Sequence, residues 1–335
     1  DITKNPQITD DGIDGKSLKM YFGKVVARNT VILPVELKEG HNYSVTLQYK
    51  ADNASKNDIL NFHDMSGAWV SDDAGEIINK QRSKKENMLM YLFHTAKNRD
   101  WNTLKLGNSD IGTWSFSFSP TKEQMSDTNK YFALYFENYA MSFEDCFYID
   151  NISIVEIPNE PSSSATFDFE NGSMAGIGTK YDKPLEAPKI VTVNGADGSE
   201  TKALGINVHD YKTLSVIFPF KLKAGSTYTV SYDYKTNKDD TMSTFSFSEN
   251  SYIGSSNLNG NFVGNNKKRF GLFVQESGAF VWNKNKVSDS DWHSREFTFT
   301  ATDEQVTDEY SFLGISLCEC ETKQDNRAKR MLYID

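Results

Sequence analysis

The feature that most constrains this chain is that it repeats itself. Residues 32–50, ILPVELKEGHNYSVTLQYK, match residues 217–235, IFPFKLKAGSTYTVSYDYK, at an offset of 217 − 32 = 185, with 9 of 19 positions identical. Pro34 meets Pro219, Gly40 meets Gly225, Tyr43 meets Tyr228 and Tyr49 meets Tyr234. A second block, at an offset of 282 − 101 = 181, pairs Trp101-Asn102 with Trp282-Asn283, Phe116-Ser-Phe118 with Phe297-Thr-Phe299, and Glu123-Gln124 with Glu304-Gln305. The offset returns to 185 at Tyr148-Ile149-Asp150 and Tyr333-Ile334-Asp335. The same elements in the same order mean two copies of one domain. They are expected at residues 1–156 and 166–335. The Pro- and Ser-containing stretch 157–165, IPNEPSSSA, reads as a short, stiff tether.

The copies differ at their ends. Copy two opens on FDFENG (167–172), about 35 residues before Leu204, whereas only 17 residues precede the matching Leu18. The first strand of copy one is therefore expected to be shortened, replaced or missing. Copy two stops at Asp335, inside a motif that copy one continues as Asn151-Ile-Ser-Ile-Val155, so the chain reads as a segment of something longer.

Inside each copy the pattern is that of strands. Tyr43-Ser-Val45-Thr-Leu47-Gln-Tyr49 and Tyr228-Thr-Val230-Ser-Tyr232-Asp-Tyr234 alternate apolar and polar residues with period two. Ser115–Ser119, Glu296–Thr300, Tyr131–Phe136 and Phe312–Leu317 read the same way, and Glu86–Lys97 with its counterpart Arg269–Gly278 is read as strand. Aromatics reach 13%, with 22 Phe, 16 Tyr and 5 Trp, a content suited to short strands and too high for disorder. Strands every 8–12 residues with polar turns predict an all-β chain of two tandem sandwiches.

Charge narrows the partners. Lys plus Arg is 36 against 46 Asp plus Glu, a net charge of −10, which argues against nucleic acid and against a polybasic membrane surface. No apolar run approaches the roughly 20 residues of a membrane helix. Three cysteines, Cys146, Cys318 and Cys320, make neither a disulfide framework nor a zinc set and read as structural thiols. The five histidines do not cluster in sequence. There is no G-x-S-x-G, no H-E-x-x-H and no P-loop. A catalytic function therefore has little support.

An opening FDFENG, a central (I/V)xxPFxLKxGxTYxVSxxYK, a Trp ahead of FxFTxTxEQ and a terminal YIDNISI together resemble the jelly-roll carbohydrate-binding modules found beside glycoside hydrolases in secreted bacterial proteins. The resemblance covers nearly all of copy two and most of copy one. It implies two tandem jelly-roll domains, extracellular or at the bacterial cell surface, within a larger multidomain or surface assembly. It also implies a structural calcium between the first-strand glutamate and the aspartate of the YIDN strand, here Glu170 and Asp335. Copy one keeps Asp150 but has no clear FxFE segment. The paired lobes resemble starch-adherence proteins, which implies α-1,4-glucan as ligand, with β-glucan, xylan and mannan as alternatives.

Sugar binding needs flat apolar faces for pyranose C–H bonds and polar groups for hydroxyls. Trp101 and Trp282 hold equivalent positions, each followed by an amide (Asn102, Asn283), with Lys284 next to the second; each is a platform or a core residue. Trp69, in the GAWVSDD stretch, and Tyr252 are expected on binding loops. Trp114 aligns with Arg295, a position that tolerates exposure. Trp292 aligns with Ile111 and is expected in the core. Three functions fit: a tandem noncatalytic polysaccharide binder, a structural or adhesin spacer whose tryptophans are all buried, or an enzyme, which would need two carboxylates close together in a cleft.

Overall fold

The computed structural model describes residues 6–10, 12–13, 15–22, 27–52, 60–77, 88–93, 105–106, 111–138, 145–172, 174, 176–180, 188–208, 214–239, 242–264, 268–275, 279–320 and 330–335. The chain divides into two compact units that meet at Ile157/Pro158. In the first, the strands are β1 Gln7–Thr9, β2 Ser17–Phe22, β3 Ala27–Glu36, β4 Asn42–Asp52, β5 Leu60–Asn61, β6 Gly67–Ser71, β7 Met90–Tyr91, β8 Lys105–Leu106, β9 Gly112–Phe118, β10 Tyr131–Asn138 and β11 Asp145–Ile157. The second has β12 Gly178–Lys180, β13 Lys189–Asn194, β14 Glu200–Asn207, β15 Leu214–Lys221, β16 Thr227–Thr236, β17 Phe245–Ser246, β18 Tyr252–Ser256, β19 Gly271–Leu272, β20 Lys286–Val287, β21 His293–Thr300, β22 Phe312–Leu317 and β23 Met331–Ile334.

Each unit is a sandwich of two antiparallel sheets. The first pairs β1-β2-β11-β4-β9 with β3-β10-β6-β7; the second pairs β13-β14-β23-β16-β21 with β12-β15-β22-β18-β19. Among the described strands the two orders correspond along the repeat, except that β12 of the second unit has no counterpart in the first. Period two then decides the core. Tyr43, Val45, Leu47 and Tyr49 of β4 meet Phe132, Leu134 and Phe136 of β10 in one apolar cluster. In the second unit Leu204 and Ile206 of β14 meet Val216, Phe218 and Phe220 of β15. Among the described residues no helix is long and apolar enough to cross a membrane.

The repeated motifs have mechanical jobs. In LKxGxxY the glycine turns the chain with φ of +72° at Gly40 and +79° at Gly225, a region that favours glycine. The tyrosine hydroxyl then accepts the Lys38 amide at 3.0 Å, or the Lys223 amide at 2.9 Å, and ties the turn to its strand. In the EQ motif, the Gln124 side chain accepts the Thr121 amide and donates to the Met88 carbonyl; Gln305 does the same with Thr302 and Arg269.

Two expectations change. Residues 163–169 of the FDFENG region form no strand; the chain from Ser162 docks on the second unit through Ser162 N–H to the Lys221 carbonyl, 2.8 Å. The tether is thus partly absorbed into that unit. Copy one leads with the three-residue β1, paired with β2 as the six-residue β13 pairs with β14. Finally, the described parts of 86–97 and 269–278 give only the two-residue strands β7 and β19.

Candidate functional site

The exposed aromatic surface of the second unit is built on a braced loop. Trp282 lies in a short 3-10 turn, Trp282–Lys284, between β19 and β20, with 42% of its surface open; Val281 beside it is 43% open. A large apolar pair at the surface would ordinarily fold back. Here two buried amides hold the loop out. The Gln275 side chain accepts the Val281 amide (2.7 Å) and donates to the Ala279 carbonyl (2.7 Å). Asn285 donates to the Phe247 and Ser248 carbonyls (2.6 and 3.2 Å) and accepts the Gln275 amide (3.2 Å). Phe280 supports the indole edge to face at 6.0 Å. Lys286 Nζ stands 5.9 Å from the indole centroid and 3.4 Å from Asn283 Oδ1. A flat apolar face thus stands beside exposed Asn283 and Lys284 and half-buried Lys286. That combination offers C–H stacking together with hydroxyl hydrogen bonding.

The other aromatic candidates fall elsewhere. Trp101 and Asn102 lie outside the described residues. Trp69 is fully buried, not on a binding loop. It points outward from β6, but the hairpin 72–76 folds back through the Ser71–Ile77 bridge, so the indole packs with Met65, Ile77, Met88 and Tyr135 and donates to the Met65 carbonyl at 2.9 Å. Asp72, within the stretch read as an exposed loop, caps that hairpin by accepting from the Ala74 and Glu76 amides. Tyr252 is corrected in the same way. It is 7% exposed, with Phe262 edge to face at 5.3 Å, because the hairpin 257–261 repeats the fold-back through the Ser256–Phe262 bridge. Trp114 is also fully buried, tilted against Phe116 at 4.4 Å. Its counterpart Arg295 is buried too, so the pairing did not report exposure.

Trp292 moves in the opposite direction. It is half-buried, not core: its Nε1 donates to the Asn194 carbonyl at 2.8 Å and Lys235 Nζ sits 5.3 Å from its ring. Ile111, its partner in the repeat, is likewise exposed at 39%.

Asp168, Glu170 and Asp233 lie within electrostatic reach of Asp335, near the end of the final strand. Glu170 accepts the Thr201 hydroxyl (2.5 Å) and the Lys202 amide (3.1 Å), and these bonds hold its carboxyl below the usual range, the Thr201 bond contributing most. The Asp335 carboxyl is pushed up, first by burial and then by the charges of Glu170, Asp233 and Asp168. The donor set is all oxygen, with the Lys202 charge acting on Glu170, and main-chain carbonyls can complete the shell of a hard cation such as calcium. Among the described residues, however, no three His, Cys, Asp or Glu side chains converge at ligand spacing. The charge fits calcium, and the convergence does not yet. In the first unit Asp150 accepts from the Ser17 hydroxyl (3.1 Å) and the Asn151 amide (2.7 Å).

Sequence reasoning missed Gln275, Asn285 and Lys286. Lys286 carried a signal, lying four residues beyond Trp282. The two amides carried none, since a bracing role depends on what lies opposite. It also missed a buried cluster in the first unit, where His63 Nδ1 stands 2.7 Å from Asp64 and 3.8 Å from Glu137.

The sheets and the braced indole define a class: a tandem β-sandwich protein that displays an aromatic platform. Solved structures similar to it include the N-terminal CBM22-1-CBM22-2 tandem domain of Paenibacillus barcinonensis Xyn10C, at 13% identity and a TM-score of 0.31 over 99% of this chain and 89% of that one. An exo-beta-agarase is similar at 15% identity and 0.31 over 52% and 24%, and a CBM4 structure at 12% and 0.24 over 43% and 91%. No family model matches the chain, and no curated protein matches it.

Proposed function

We propose that the chain is a noncatalytic polysaccharide-binding region acting outside the cell or at a bacterial surface, and that its second unit binds glycan at Trp282. The observation that carries this reading is the indole kept 42% open by two buried amides. Preorganisation lowers the entropy lost on binding, and a loop held rigid without a ligand is what a stacking site requires. Asn283, Lys284 and Lys286 supply the polar contacts. The finer reading, α-1,4-glucan, rests on the sequence resemblance.

We propose in addition that Ca2+ joins Glu170 to Asp335, with Asp168 and Asp233 in its field. Calcium would supply charge neutralisation and tie the segment before β12 to the end of β23.

Affinity electrophoresis in native gels containing amylopectin, xylan, glucomannan or mixed-linkage β-glucan tests the function. Retardation in one gel is expected and names the glycan class. Free migration in all four would contradict polysaccharide binding and favour the spacer.

A further inference from the structure

Beyond β22 the chain runs on as Cys318-Glu319-Cys320, with Glu319 bridged to Phe247 just past β17. Alternation sends Glu319 inward to its buried ion pair with Arg330 and puts both cysteines on the outer face of the sheet. There the two thiols hydrogen-bond each other, and the Cys320 thiol also meets the Ser248 hydroxyl. Cys318 is buried and Cys320 is half-buried. The backbone beneath them is pinned. The Ser248 amide donates to the Cys318 carbonyl at 2.9 Å, and the Cys320 amide donates to the Ser246 carbonyl at 2.7 Å. The fully buried Ser251 hydroxyl accepts the Cys318 amide (2.8 Å) and donates to the Cys318 carbonyl (3.0 Å).

We propose that Cys318 and Cys320 form a binding site for a soft monovalent cation, Cu(I). The inference stands apart from the glycan reading. Thiolates select soft ions such as Cu(I) over harder ones. Among the described residues no three His, Cys, Asp or Glu side chains converge at ligand spacing, so the set is the sulfur pair and falls short of the four ligands of structural zinc. Thiols in hydrogen-bond contact lie roughly 4 Å apart, the span that two metal–sulfur bonds of about 2.3 Å set. The ion therefore enters without moving the backbone. A disulfide fits less well. Cα atoms two residues apart on extended backbone are about 6.6 Å apart, with parallel Cβ vectors. Closing an S–S bond would bend the chain against the hydrogen bonds that pin it. Binding exchanges two S–H protons for two Cu–S bonds, with no change in oxidation state. The Cys320 thiol is pushed up to about 11, first by burial and then by Cys318. Protons thus compete with the ion, and affinity rises with pH.

The test is competition for Cu(I) between the full chain and bathocuproine disulfonate, under nitrogen with ascorbate, in wild type, Cys320→Ser and Cys146→Ser. Wild type is expected to withdraw one Cu(I) per chain. Cys320→Ser, at the half-buried position, should lose affinity by more than the roughly 10–100-fold that removal of an outer-shell partner costs. Cys146→Ser, in the first unit, should keep it. Alkylation by iodoacetamide, mapped by peptide mass, needs no variant: Cu(I) should protect Cys318 and Cys320 together. No withdrawal by wild type, or unchanged affinity in Cys320→Ser, would overturn the site. An equal loss in Cys146→Ser would mark adventitious thiol binding and overturn it too, as would a Cys318–Cys320 disulfide in protein prepared without reductant.

Discussion

At Trp282 the indole has little to lose on truncation, because the loop is held by Gln275 and Asn285 and not by the ring. Trp282→Ala is therefore expected to change stability by no more than about 0.5 kcal/mol, the usual range of a surface substitution. Trp114 presents the opposite case. It is fully buried among Phe93 and Phe116, and Trp114→Ala is expected to cost about 3–5 kcal/mol in thermal or urea unfolding. Asp335 gives a pH dependence. Its carboxyl sits above the ordinary value of about 4, so in that window the folded chain binds more protons than the unfolded one. Stability of the calcium-free protein should then fall as pH rises from about 4 through the raised value. Melting curves in EDTA should show this fall, and Asp335→Asn should flatten it. Added Ca2+ should raise the melting temperature near neutral pH in wild type and not in Glu170→Gln. An equal rise in that variant would contradict the calcium proposal.

Elements depend on groups that the pattern of the chain does not advertise. Asn285 satisfies three backbone groups at once, and Asn285→Ala would strand them at about 1–3 kcal/mol each before relaxation. This variant should lose both stability and glycan retention, whereas Trp282→Ala should lose retention alone. Arg330 and Glu319 form a fully buried pair at 2.6 Å, with Phe245 under the guanidinium at 3.9 Å. Arg330→Met should cost about 3–5 kcal/mol in equilibrium unfolding, because it leaves the Glu319 charge buried. Strands β4, β9, β10, β16, β21 and β22 were legible because alternation of apolar and polar residues is a local signal. The segment 163–169 was not. Phe167 and Phe169 alternate like a strand, yet they serve as single aromatic plugs without ladder hydrogen bonds. Trp69 and Tyr252 were misplaced for a related reason, since the fold-back of 72–76 and of 257–261 is decided by a bridge across a hairpin.

Across the whole molecule, duplication was legible because both copies use the same turn chemistry, LKxGxxY and the EQ cap, at matching offsets. In the first copy β11 pairs with β4 as far as Ile157 and Asn42, and the second copy carries the braced Trp282 loop. The proposed function puts glycan stacking at Trp282, so that one substitution there should remove most of the retention. The direct measurement is retardation of wild type and Trp282→Ala in the glycan gel that retains wild type, with melting followed in parallel. The account predicts that Trp282→Ala migrates nearly freely while melting at the wild-type temperature. Wild-type retardation of a folded Trp282→Ala protein would contradict it.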